Sequence, residues 1–429
     1  MSREAGQQMP RVVVLGGGFG GIGAARKLRD ADVDVVLVDK QDYHTFQPML
    51  YQLATGVIDT SAIADPLRGL FHDQPNARVH QGTVEAIDPD SRVVTFADRE
   101  PLEYDYLVLA LGAEAEFFGV EGAGEHGYPL YTLGDAVRLK EHVVTCWEEA
   151  DRNPSLIADG MLNVVIVGGG ATGVESAGAL GELYRNVFSD DFPDIAQEHA
   201  RLILVEAGPA LLPMFKKDIQ DYTQRALRER GVEIMLGEIV ESVAPTRVRL
   251  KSGTVLKAHT LVWGAGLHAH PIAKALGVEL QRGSRIPVGL DLRLADRPEV
   301  FAVGDIAWIT DAKTDDVLPQ LGSVALQAGE HAGENIARLV DRKDAMPFKY
   351  TDKGTMAIIG RGAAVLQTRR GHTMKGRTAF LAWGAVHLAL LSTGEERTKA
   401  VVEWTWAGLT HERSGRIVVS DIEPTPARR

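Results

Sequence analysis

Residues 11–39 read RVVVLGGGFGGIGAARKLRDADVDVVLVD, and this stretch decides the fold. Val12–Leu15 is β-branched and almost fully apolar, which is typical of a strand buried on both faces of a parallel sheet. After a run of glycines, Ile22–Leu28 has helical spacing. Val33–Val38 then forms a second apolar run that ends on Asp39. The order predicts a strand, a crossover helix and a second parallel strand.

The glycines between the first strand and the helix form a GxGxxG fingerprint at Gly16, Gly18 and Gly21. The first glycine allows the tight turn, the second lets a pyrophosphate approach the backbone, and the third lets helix and strand pack closely. The helix N-terminus offers unpaired N–H groups and the positive end of the helix dipole. Asp39 would accept hydrogen bonds from ribose hydroxyls. The motif in this context predicts a dinucleotide site.

The same order returns in the middle of the chain. Its strand, glycine turn, helix, second strand and closing acid are Asn163–Val167, Gly168–Gly173, Val174–Tyr184, Arg201–Val205 and Glu206. The two fingerprints begin 168 − 16 = 152 residues apart, which indicates one domain inserted into another. The predicted fold class is therefore α/β, with two Rossmann-type dinucleotide-binding domains.

The later residues predict which dinucleotide binds where. Tyr106–Ala110 and Val300–Val303 are apolar runs that read as further strands of the first domain. The second run is followed by Gly304-Asp305 and a predicted helix, where Asp305 can reach a sugar-alcohol hydroxyl. A flavin has a ribityl chain for that contact, so we expect FAD at the N-terminal fingerprint and NADH at the internal one. The carboxylate of Glu206 should repel a 2′-phosphate, which favours NADH over NADPH.

We predict four ranges from these patterns: 1–120 and 291–345 for the FAD domain, 121–290 for the inserted NADH domain, and 346–429 for a C-terminal domain. The last range contains the short β-like runs Thr355–Ile359 and Ala363–Gln367, followed by the apolar run Ala379–Leu391.

Composition excludes several classes of protein. The net charge of −12 argues against a nucleic-acid binder, which needs a basic face. The start MSREAGQQMP has no apolar segment, so we expect no signal peptide and a cytoplasmic protein. Apolar runs are too short to span a bilayer. The single cysteine, Cys146, cannot form a disulfide or a redox dithiol, and we expect it to be a helical residue without a role. No metal site is predicted.

Six blocks of the sequence resemble the type II NADH:quinone oxidoreductases, a family of single-subunit, non-pumping NADH dehydrogenases. They are Tyr43–Gly56 (YHTFQPMLYQLATG), Gly168–Leu180 (GGGATGVESAGAL), Leu261–Gly266 (LVWGAG), Val303–Asp305, Asp352–Arg361 (DKGTMAIIGR) and Phe380–Leu391 (FLAWGAVHLALL). The resemblance implies that NADH reduces a non-covalently bound FAD, and that a membrane quinone, menaquinone or ubiquinone, reoxidises it.

The resemblance also implies roles for single residues. Glu175 would lie near the nicotinamide and the flavin, orienting the one or relaying a proton; the alternative is an acid that complements a helix dipole. Thr55 and Gly56 would lie beside the isoalloxazine ring. Where family members carry AQxAxQ, this chain has Gly322–Gln327 (GSVALQ), so Gln327 is retained and Ser323 replaces a glutamine expected near the quinone. Alternatively, Ser323 caps a helix over Val324–Arg338.

The predicted catalytic residues are Glu175, Ser323 and Gln327. The predicted cofactor-binding residues are Gly16, Gly18, Phe19, Gly20, Gly21, Asp39, Lys40, Thr55, Gly56, Val84, Ala110, Gly112, Gly168, Gly170, Thr172, Gly173, Glu206, Gly266, Gly304, Asp305 and Val324.

The C-terminal segment Phe380–Trp406 is apolar and holds three tryptophans. It suits core packing or a homodimer contact as well as an interfacial helix, and the resemblance favours peripheral attachment to the cytoplasmic face of the inner or plasma membrane. Arg397 and Lys399 would help binding to anionic lipid, whereas Glu395 and Glu396 would weaken it. Two other functions stay open: a reductase of a soluble acceptor such as ferredoxin or rubredoxin, and an NADH-responsive redox sensor.

Overall fold

The structure is a computed structural model that describes residues 9–410, 413 and 415–418. The ends of the predicted outer ranges, 1–8 and 419–429, lie outside the described residues, as does most of MSREAGQQMP. The strands, in chain order, are β1 Arg11–Leu15, β2 Asp34–Asp39, β3 Tyr43–Thr45, β4 Ala64–Pro66, β5 Ala77–Gln81, β6 Val84–Asp88, β7 Val93–Phe96, β8 Leu102–Glu103, β9 Tyr106–Leu109, β10 Ala113–Ala115, β11 Gly127–Pro129, β12 Val164–Val167, β13 Leu202–Glu206, β14 Val232–Leu236, β15 Val240–Ala244, β16 Arg247–Leu250, β17 Val255–Lys257, β18 Thr260–Trp263, β19 Leu267–Ala269, β20 Ile286–Pro287, β21 Arg293–Leu294, β22 Arg297–Ala302, β23 Ala307–Trp308, β24 Thr355–Gly360, β25 Ala363–Gln367 and β26 Thr373–Gly376. The α-helices are α1 Phe19–Lys27, α2 Leu50–Ala54, α3 Leu67–Leu70, α4 Ala123–His126, α5 Leu133–Arg152, α6 Ala171–Leu183, α7 Ser189–Asp191, α8 Lys217–Arg228, α9 Gly322–Val340, α10 Arg377–Leu390 and α11 Gly394–Thr410.

The chain forms two compact units. Unit 1 contains the chain up to Thr45, Asp65–Glu114 and Leu267–Asp352. Unit 2 contains Phe46–Ala64, Ala115–Gly266 and the chain after Asp352. The four ranges predicted from the sequence stay a prediction about folding domains.

Unit 1 is organised around a six-stranded sheet in the order β21-β22-β9-β1-β2-β5. All neighbours pair in parallel except β21, which pairs antiparallel with β22 at one edge. The central strand β1 aligns Val14 with Leu37 of β2 and with Val108 of β9, and these three side chains are fully buried. The apolar runs predicted as buried parallel strands are confirmed.

Two helices of unit 1 pack closely because small residues line their contact. A Cβ atom at Gly329 of α9 would overlap the carbonyl oxygen of Gly20 in α1. A Cβ atom at Gly23 would lie 2.7 Å from the carbonyl oxygen of Leu326. The backbones therefore approach more closely than side chains would allow, and α9 is held against the helix of the first fingerprint.

Unit 2 repeats this plan with a five-stranded parallel sheet in the order β11-β18-β12-β13-β14. The four residues of β12 are buried, as the predicted internal strand requires. The helix after it, α6, runs from Ala171 to Leu183 and continues as a π-helical turn at Tyr184–Phe188. Cys146 is buried in α5, which confirms its predicted helical position.

The C-terminal part of unit 2 is a three-stranded antiparallel sheet, β24-β25-β26, followed by α10 and α11. Strand β24 lies against α6 so closely that a Cβ atom at Gly178 would overlap the carbonyl oxygen of Ile359. Among the helices that the structure describes, none combines the length and hydropathy needed to cross a membrane.

One local expectation is wrong. Gly304-Asp305 begins a single 3-10 turn, Gly304–Ile306, which leads directly into β23 and not into a longer helix.

Candidate active site

The two glycine turns have nearly the same geometry, one in each unit. Gly16 has φ +105° and Gly168 has φ +109°, a region open to glycine but not to L side chains. The N–H of Gly16 donates to the Val38 carbonyl at 2.8 Å, and the N–H of Gly168 donates to the Val205 carbonyl at 2.9 Å. The predicted turns are confirmed as local structures.

The third glycine of each fingerprint closes the helix onto the turn. A Cβ atom at Gly21 would overlap the carbonyl oxygen of Gly16, and one at Gly173 would overlap that of Gly168. Any larger residue would push the helix N-terminus away from the turn, which is the packing role expected of this position.

The closing acids also occupy equivalent positions. Asp39 accepts hydrogen bonds from the N–H groups of Gly17 at 2.6 Å and Gln41 at 2.7 Å. Glu206 accepts from Gly169 and Gly208, each at 2.5 Å. A carboxylate has about four lone-pair sites, so each acid keeps acceptor capacity for a ribose hydroxyl. Burial raises the pKa of Asp39, while its two backbone hydrogen bonds oppose the shift.

The middle glycines leave open space where a pyrophosphate would lie. A Cβ atom at Gly18 or at Gly170 would meet no protein atom within 4 Å among the described residues, so the space in front of each turn is open. Both glycines are the N-cap residues of their helices and have no side chain to cap them. The first-turn N–H groups of α1 and α6 therefore begin at an open, electropositive space, which suits a dinucleotide phosphate.

In unit 1 the later predicted residues lie at the first turn. The Phe19 ring contacts Gly322, and Gly20 contacts Val303. Asp305 follows Val303 in the 3-10 turn and is half-buried, with its carbonyl oxygen accepting a hydrogen bond from Gln320 at 3.0 Å. The strand end that carries Gly304-Asp305 is thus beside the N-terminal fingerprint.

The remaining predicted residues of unit 1 follow strands β9 and β2 of the six-stranded sheet, apart from one in a separate sheet. The carbonyl oxygen of Ala110 is the atom that a Cβ at Gly16 would strike, and Gly112 has φ +71°. Lys40 is exposed directly after β2. Val84 is half-buried at the start of β6, in a separate antiparallel sheet, close in sequence to Gly82, whose N–H donates to the Asp39 carbonyl at 2.9 Å.

His44 is a functional candidate that the residue-by-residue reading missed. It is fully buried, its Nδ1 lies 2.9 Å from the carbonyl oxygen of Gly17, and its ring meets Phe19 edge-on at 5.1 Å. Burial lowers the pKa of His44 to about 4. A neutral imidazole therefore contacts the backbone of the first glycine turn. The sequence signal that could have identified His44 is the block Tyr43–Gly56, in which it lies.

Ser323 does not cap α9, so that expectation is wrong. The N-cap is Leu321, and Val324 is buried in the first turn. The hydroxyl of Ser323 lies 2.9 Å from the hydroxyl of Tyr350. One turn further on, the amide of Gln327 pairs with both backbone groups of Thr351, at 3.0 and 3.2 Å. Helix α9 is therefore joined to the Tyr350-Thr351 segment by two side chains one helical turn apart. Sequence reasoning missed Tyr350.

In unit 2, Glu175 lies in the second turn of α6 and not at its start, so it is not an acid of the first helical turn. It is only partly accessible, and it accepts a hydrogen bond from the N–H of Ile358 in β24 at 3.2 Å. Burial raises the pKa of Glu175 to about 8, and that hydrogen bond opposes the shift. A carboxyl group that titrates near neutral pH can both give and take a proton.

Thr55 and Gly56 directly follow α2 in unit 2, and Thr55 is the C-cap residue of that helix. Thr55 is buried and donates its hydroxyl to the Tyr51 carbonyl at 2.9 Å, and Gly56 has φ +68°. The buried guanidinium of Arg413 donates to the Thr55 carbonyl at 3.0 Å and lies 3.4 Å from that of Ala179 in α6. Burial lowers the pKa of Arg413 to about 10. No local pattern marks Arg413, because its partners are distant in sequence.

The last predicted residues lie at the second fingerprint. Thr172 is half-buried in the first turn of α6, near Gly264, whose N–H donates to the Val167 carbonyl at 2.8 Å. Gly266 follows β18, and its carbonyl oxygen accepts a hydrogen bond from the N–H of Glu116 at 3.0 Å. Gly264 and Ala265 are the residues that a Cβ atom at Gly168 would strike, so Thr172 lies at this turn and Gly266 follows the segment that borders it.

Comparisons with known proteins identify the family. The model of the pyridine nucleotide-disulphide oxidoreductases matches residues 10–329. The type II NADH:quinone oxidoreductase Ndh of Mycobacterium tuberculosis is 34% identical over 96% of this chain and 90% of its own length. The type II NADH:quinone oxidoreductase of Haemophilus influenzae is 27% identical over 88% of this chain and 93% of its own length. The structure of NDH2 from Plasmodium falciparum in complex with NADH shares the fold, with a TM-score of 0.88 at 18% identity over 96% of this chain and 100% of that one. The chain therefore belongs to the pyridine nucleotide-disulphide oxidoreductase family and, within it, to the type II NADH:quinone oxidoreductases.

Proposed function

We propose that this chain transfers electrons from NADH through FAD to a membrane quinone, without moving protons across the membrane. The observation that carries the proposal is the pair of matching pyrophosphate turns, each with an open N-terminal helix turn and a backbone-anchored carboxylate. Two such turns provide for two dinucleotides, as hydride transfer from a nicotinamide to a flavin requires.

We assign FAD to unit 1 and NADH to unit 2. Supporting the first assignment, the half-buried Asp305 follows Val303, which packs on Gly20 of the first fingerprint helix. Asp39 would hold the adenosine ribose of FAD and Asp305 its ribityl chain. Glu206 would hold the ribose of NADH. When bound, FAD supplies the chemistry of accepting a hydride and releasing two electrons to the quinone.

We expect Glu175 to donate or accept a proton, or to orient the nicotinamide, at the NADH site. Its raised pKa keeps the carboxyl largely protonated at neutral pH, and the Ile358 N–H fixes one carboxyl oxygen. It can orient a nicotinamide carboxamide through a hydrogen bond or exchange a proton during turnover.

We assign the paired hydroxyls of Ser323 and Tyr350 to the quinone-binding site. Two paired hydroxyls use only one of their two protons between them, so one O–H remains to donate to a further acceptor. A quinone carbonyl is such an acceptor. Gln327, whose amide is paired with Thr351, would position that segment without touching the quinone.

Peripheral membrane attachment through α10 and α11 completes the proposal. Several large apolar side chains on these helices are exposed, with Leu381 at 70%, Trp406 at 54% and Leu409 at 77%. The inner face is anchored instead: Trp383 stacks on His387 at 4.0 Å, and the Trp404 indole N–H donates to Gln52 at 2.6 Å. An exposed apolar face on an internally fixed helix pair suits an interfacial location on the cytoplasmic leaflet, where quinone is dissolved.

Anaerobic stopped-flow mixing tests the electron path. NADH should bleach the absorbance of the FAD-loaded protein, and a short-chain menaquinone or ubiquinone analogue added next should restore it. Bleaching without restoration by either quinone would overturn the quinone half and favour a soluble acceptor or a redox sensor. Absence of bleaching would overturn the assignment of NADH.

The quinone contact has its own matched control. Ser323→Ala should raise the KM for quinone several-fold and leave NADH-driven bleaching unchanged. Ser252→Ala removes a similar hydroxyl pair, with Thr254 at 3.2 Å, from an exposed turn and should change neither rate. An unchanged quinone KM in Ser323→Ala would remove the hydroxyl pair from the quinone site.

A further inference from the structure

The charges of this acidic chain are unevenly distributed. Residues 353–394 contain six lysines and arginines and no aspartate or glutamate, although the whole chain carries a net charge of −12. The six are Lys353, Arg361, Arg369, Arg370, Lys375 and Arg377. The segment contains the sheet β24-β25-β26 and α10, so the positive charge lies in the same part of unit 2 as the exposed apolar helix.

Four of these cations form one exposed strip along the chain, which we call the basic strip: Arg369, Arg370, Lys375 and Arg377. Arg369 and Arg370 occupy the turn between β25 and β26, where the Thr368 N–H donates to the His372 carbonyl at 2.9 Å. Lys216 adds a further cation, since its ammonium donates to the Gly371 carbonyl at 2.6 Å.

Little of the charge of the basic strip is neutralised by the protein. Lys375 lies 3.5 Å from Asp218, a pair with both side chains about half exposed. Among the described residues, no ion pair joins Arg369, Arg370 or Arg377 to a carboxylate. Exposed pairs such as Lys375–Asp218 hold their partners weakly, so the strip remains available to an anionic partner.

The basic strip continues into the apolar face of α10. Arg377 is the first residue of that helix, and Leu381, Ala385 and Ala389 follow at four-residue intervals, all exposed. Residues four apart lie on the same face of a helix. Arg377 therefore lies at the end of the apolar row, where an arginine can extend its head group towards water or phosphate while its stem stays in apolar surroundings.

The acids that follow do not cancel this charge. Glu396 is buried and accepts a hydrogen bond from the Ser392 N–H at 2.9 Å, while its own N–H lies 3.2 Å from the hydroxyl of Thr393, which makes it part of the cap of α11. Glu395 pairs with Lys399 at 2.7 Å. Arg397 donates to the carbonyl of Ala389 in α10 at 3.4 Å and to that of Leu391, the C-cap residue of α10, at 2.9 Å. The effect of these four charges on attraction to anionic lipid stays a prediction, and their contacts within the protein direct attention to the strip.

We propose that the basic strip binds the phosphates of anionic phospholipids while the apolar face of α10 enters the same leaflet, so that the enzyme selects anionic membrane surfaces. This rests on the peripheral attachment proposed above and adds the lipid class. Phosphate oxygens accept hydrogen bonds from arginine in pairs, and the anionic potential at the membrane attracts clustered cations. A protein with net charge −12 would otherwise be repelled from such a surface.

Vesicle co-sedimentation of the FAD-loaded full chain tests the lipid class. One set of vesicles is phosphatidylcholine alone, and the other mixes it with phosphatidylglycerol at about two to one. Each basic residue near an anionic surface contributes roughly fivefold in affinity. The wild type should bind the mixed vesicles at least about tenfold more tightly, and salt should reduce the difference. Arg369→Glu with Arg370→Glu should abolish the preference while leaving turnover with a water-soluble quinone unchanged.

Arg225→Glu with Arg228→Glu is the charge-matched control, because both arginines are exposed on α8 and outside the strip. That variant should keep the preference for mixed vesicles. Equal binding of the wild type to both vesicles would overturn the lipid class and leave peripheral attachment standing. An equal loss in the control variant would overturn the strip as the binding surface. Binding to neither vesicle would overturn attachment and lipid class together.

Discussion

Glu206→Gln should relax the choice between NADH and NADPH. The carboxylate of Glu206 is fixed by the N–H groups of Gly169 and Gly208, each at 2.5 Å. Rotating it away from a 2′-phosphate would break two charge-assisted hydrogen bonds of about 1.5–3 kcal/mol each. Leaving it in place costs about 4 kcal/mol of repulsion for unit charges about 4 Å apart at an effective dielectric constant of about 20. The bound state with NADPH is therefore about 3–4 kcal/mol less favourable than that with NADH, because the less costly of these two responses decides.

That penalty corresponds to about two to three orders of magnitude in kcat/KM. The neutral amide of Glu206→Gln keeps one oxygen for one of the two N–H groups, so NADH should lose about tenfold at most. The ratio of kcat/KM for NADH over NADPH should fall by about 100-fold. Anaerobic bleaching rates with each donor measure it, and Glu241→Gln, at an exposed acid of β15, is the charge-matched control. A ratio that changes less than about threefold, or changes equally in the control, would refute the reasoning.

Three further changes test the packing around the site. Gly178→Ala would place a Cβ atom onto the Ile359 carbonyl oxygen, so we expect a loss of about 1–3 kcal/mol in the free energy of unfolding. Urea denaturation measures this loss, and an unchanged urea midpoint would contradict the close approach of α6 and β24. Glu175→Gln should flatten the pH dependence of the free energy of unfolding. Because the pKa of Glu175 is raised in the folded state, its contribution to stability is complete below about pH 4.5 and is lost as pH rises through about 8. The melting temperatures of wild type and variant should therefore diverge across that pH window, and a constant difference between them would contradict the prediction. Arg413→Ala should cost about 1–3 kcal/mol by leaving the buried Thr55 carbonyl unpaired, and Arg413→Lys should recover part of it; equal melting temperatures for all three proteins would show that the contact is dispensable.

Local patterns were enough to predict the two strand–turn–helix–strand units. Val12–Leu15 and Asn163–Val167 read as buried strands because both faces of a parallel sheet are covered, and the glycines of each turn are required by positive φ and close packing. These determinants lie within about 40 residues of one another, so a single sequence displays them together.

Contacts between distant residues could not be predicted in this way. Glu175 is buried by β24, whose Ile358 lies 183 residues further on. Arg413 reaches Thr55 across 358 residues. Ser323 read equally well as a helix cap because its partner, Tyr350, lies on a segment without regular structure. In each case the local pattern is compatible with two environments, and only the tertiary fold decides between them.

The basic strip was visible in the sequence but hidden by the total charge. A sum of −12 over the whole chain averages away a segment of 42 residues, 353–394, that has no acid. Counting charge in windows of the length of a supersecondary element would have revealed it, since the field of a patch acts locally over about 8–10 Å.

For the peripheral attachment proposed above, the caps at the connection between α10 and α11 affect how deeply that connection can enter the membrane. A helix–helix connection usually depends on water to satisfy the terminal carbonyls of one helix and the first N–H groups of the next. Here Arg397 takes the Leu391 carbonyl and Glu396 takes the Ser392 N–H. Transfer of a backbone group to hydrocarbon costs several kcal/mol only when that group loses its partner. The connection can therefore be dehydrated with these bonds intact, which would lower the energetic cost of the proposed attachment where this connection meets the lipid.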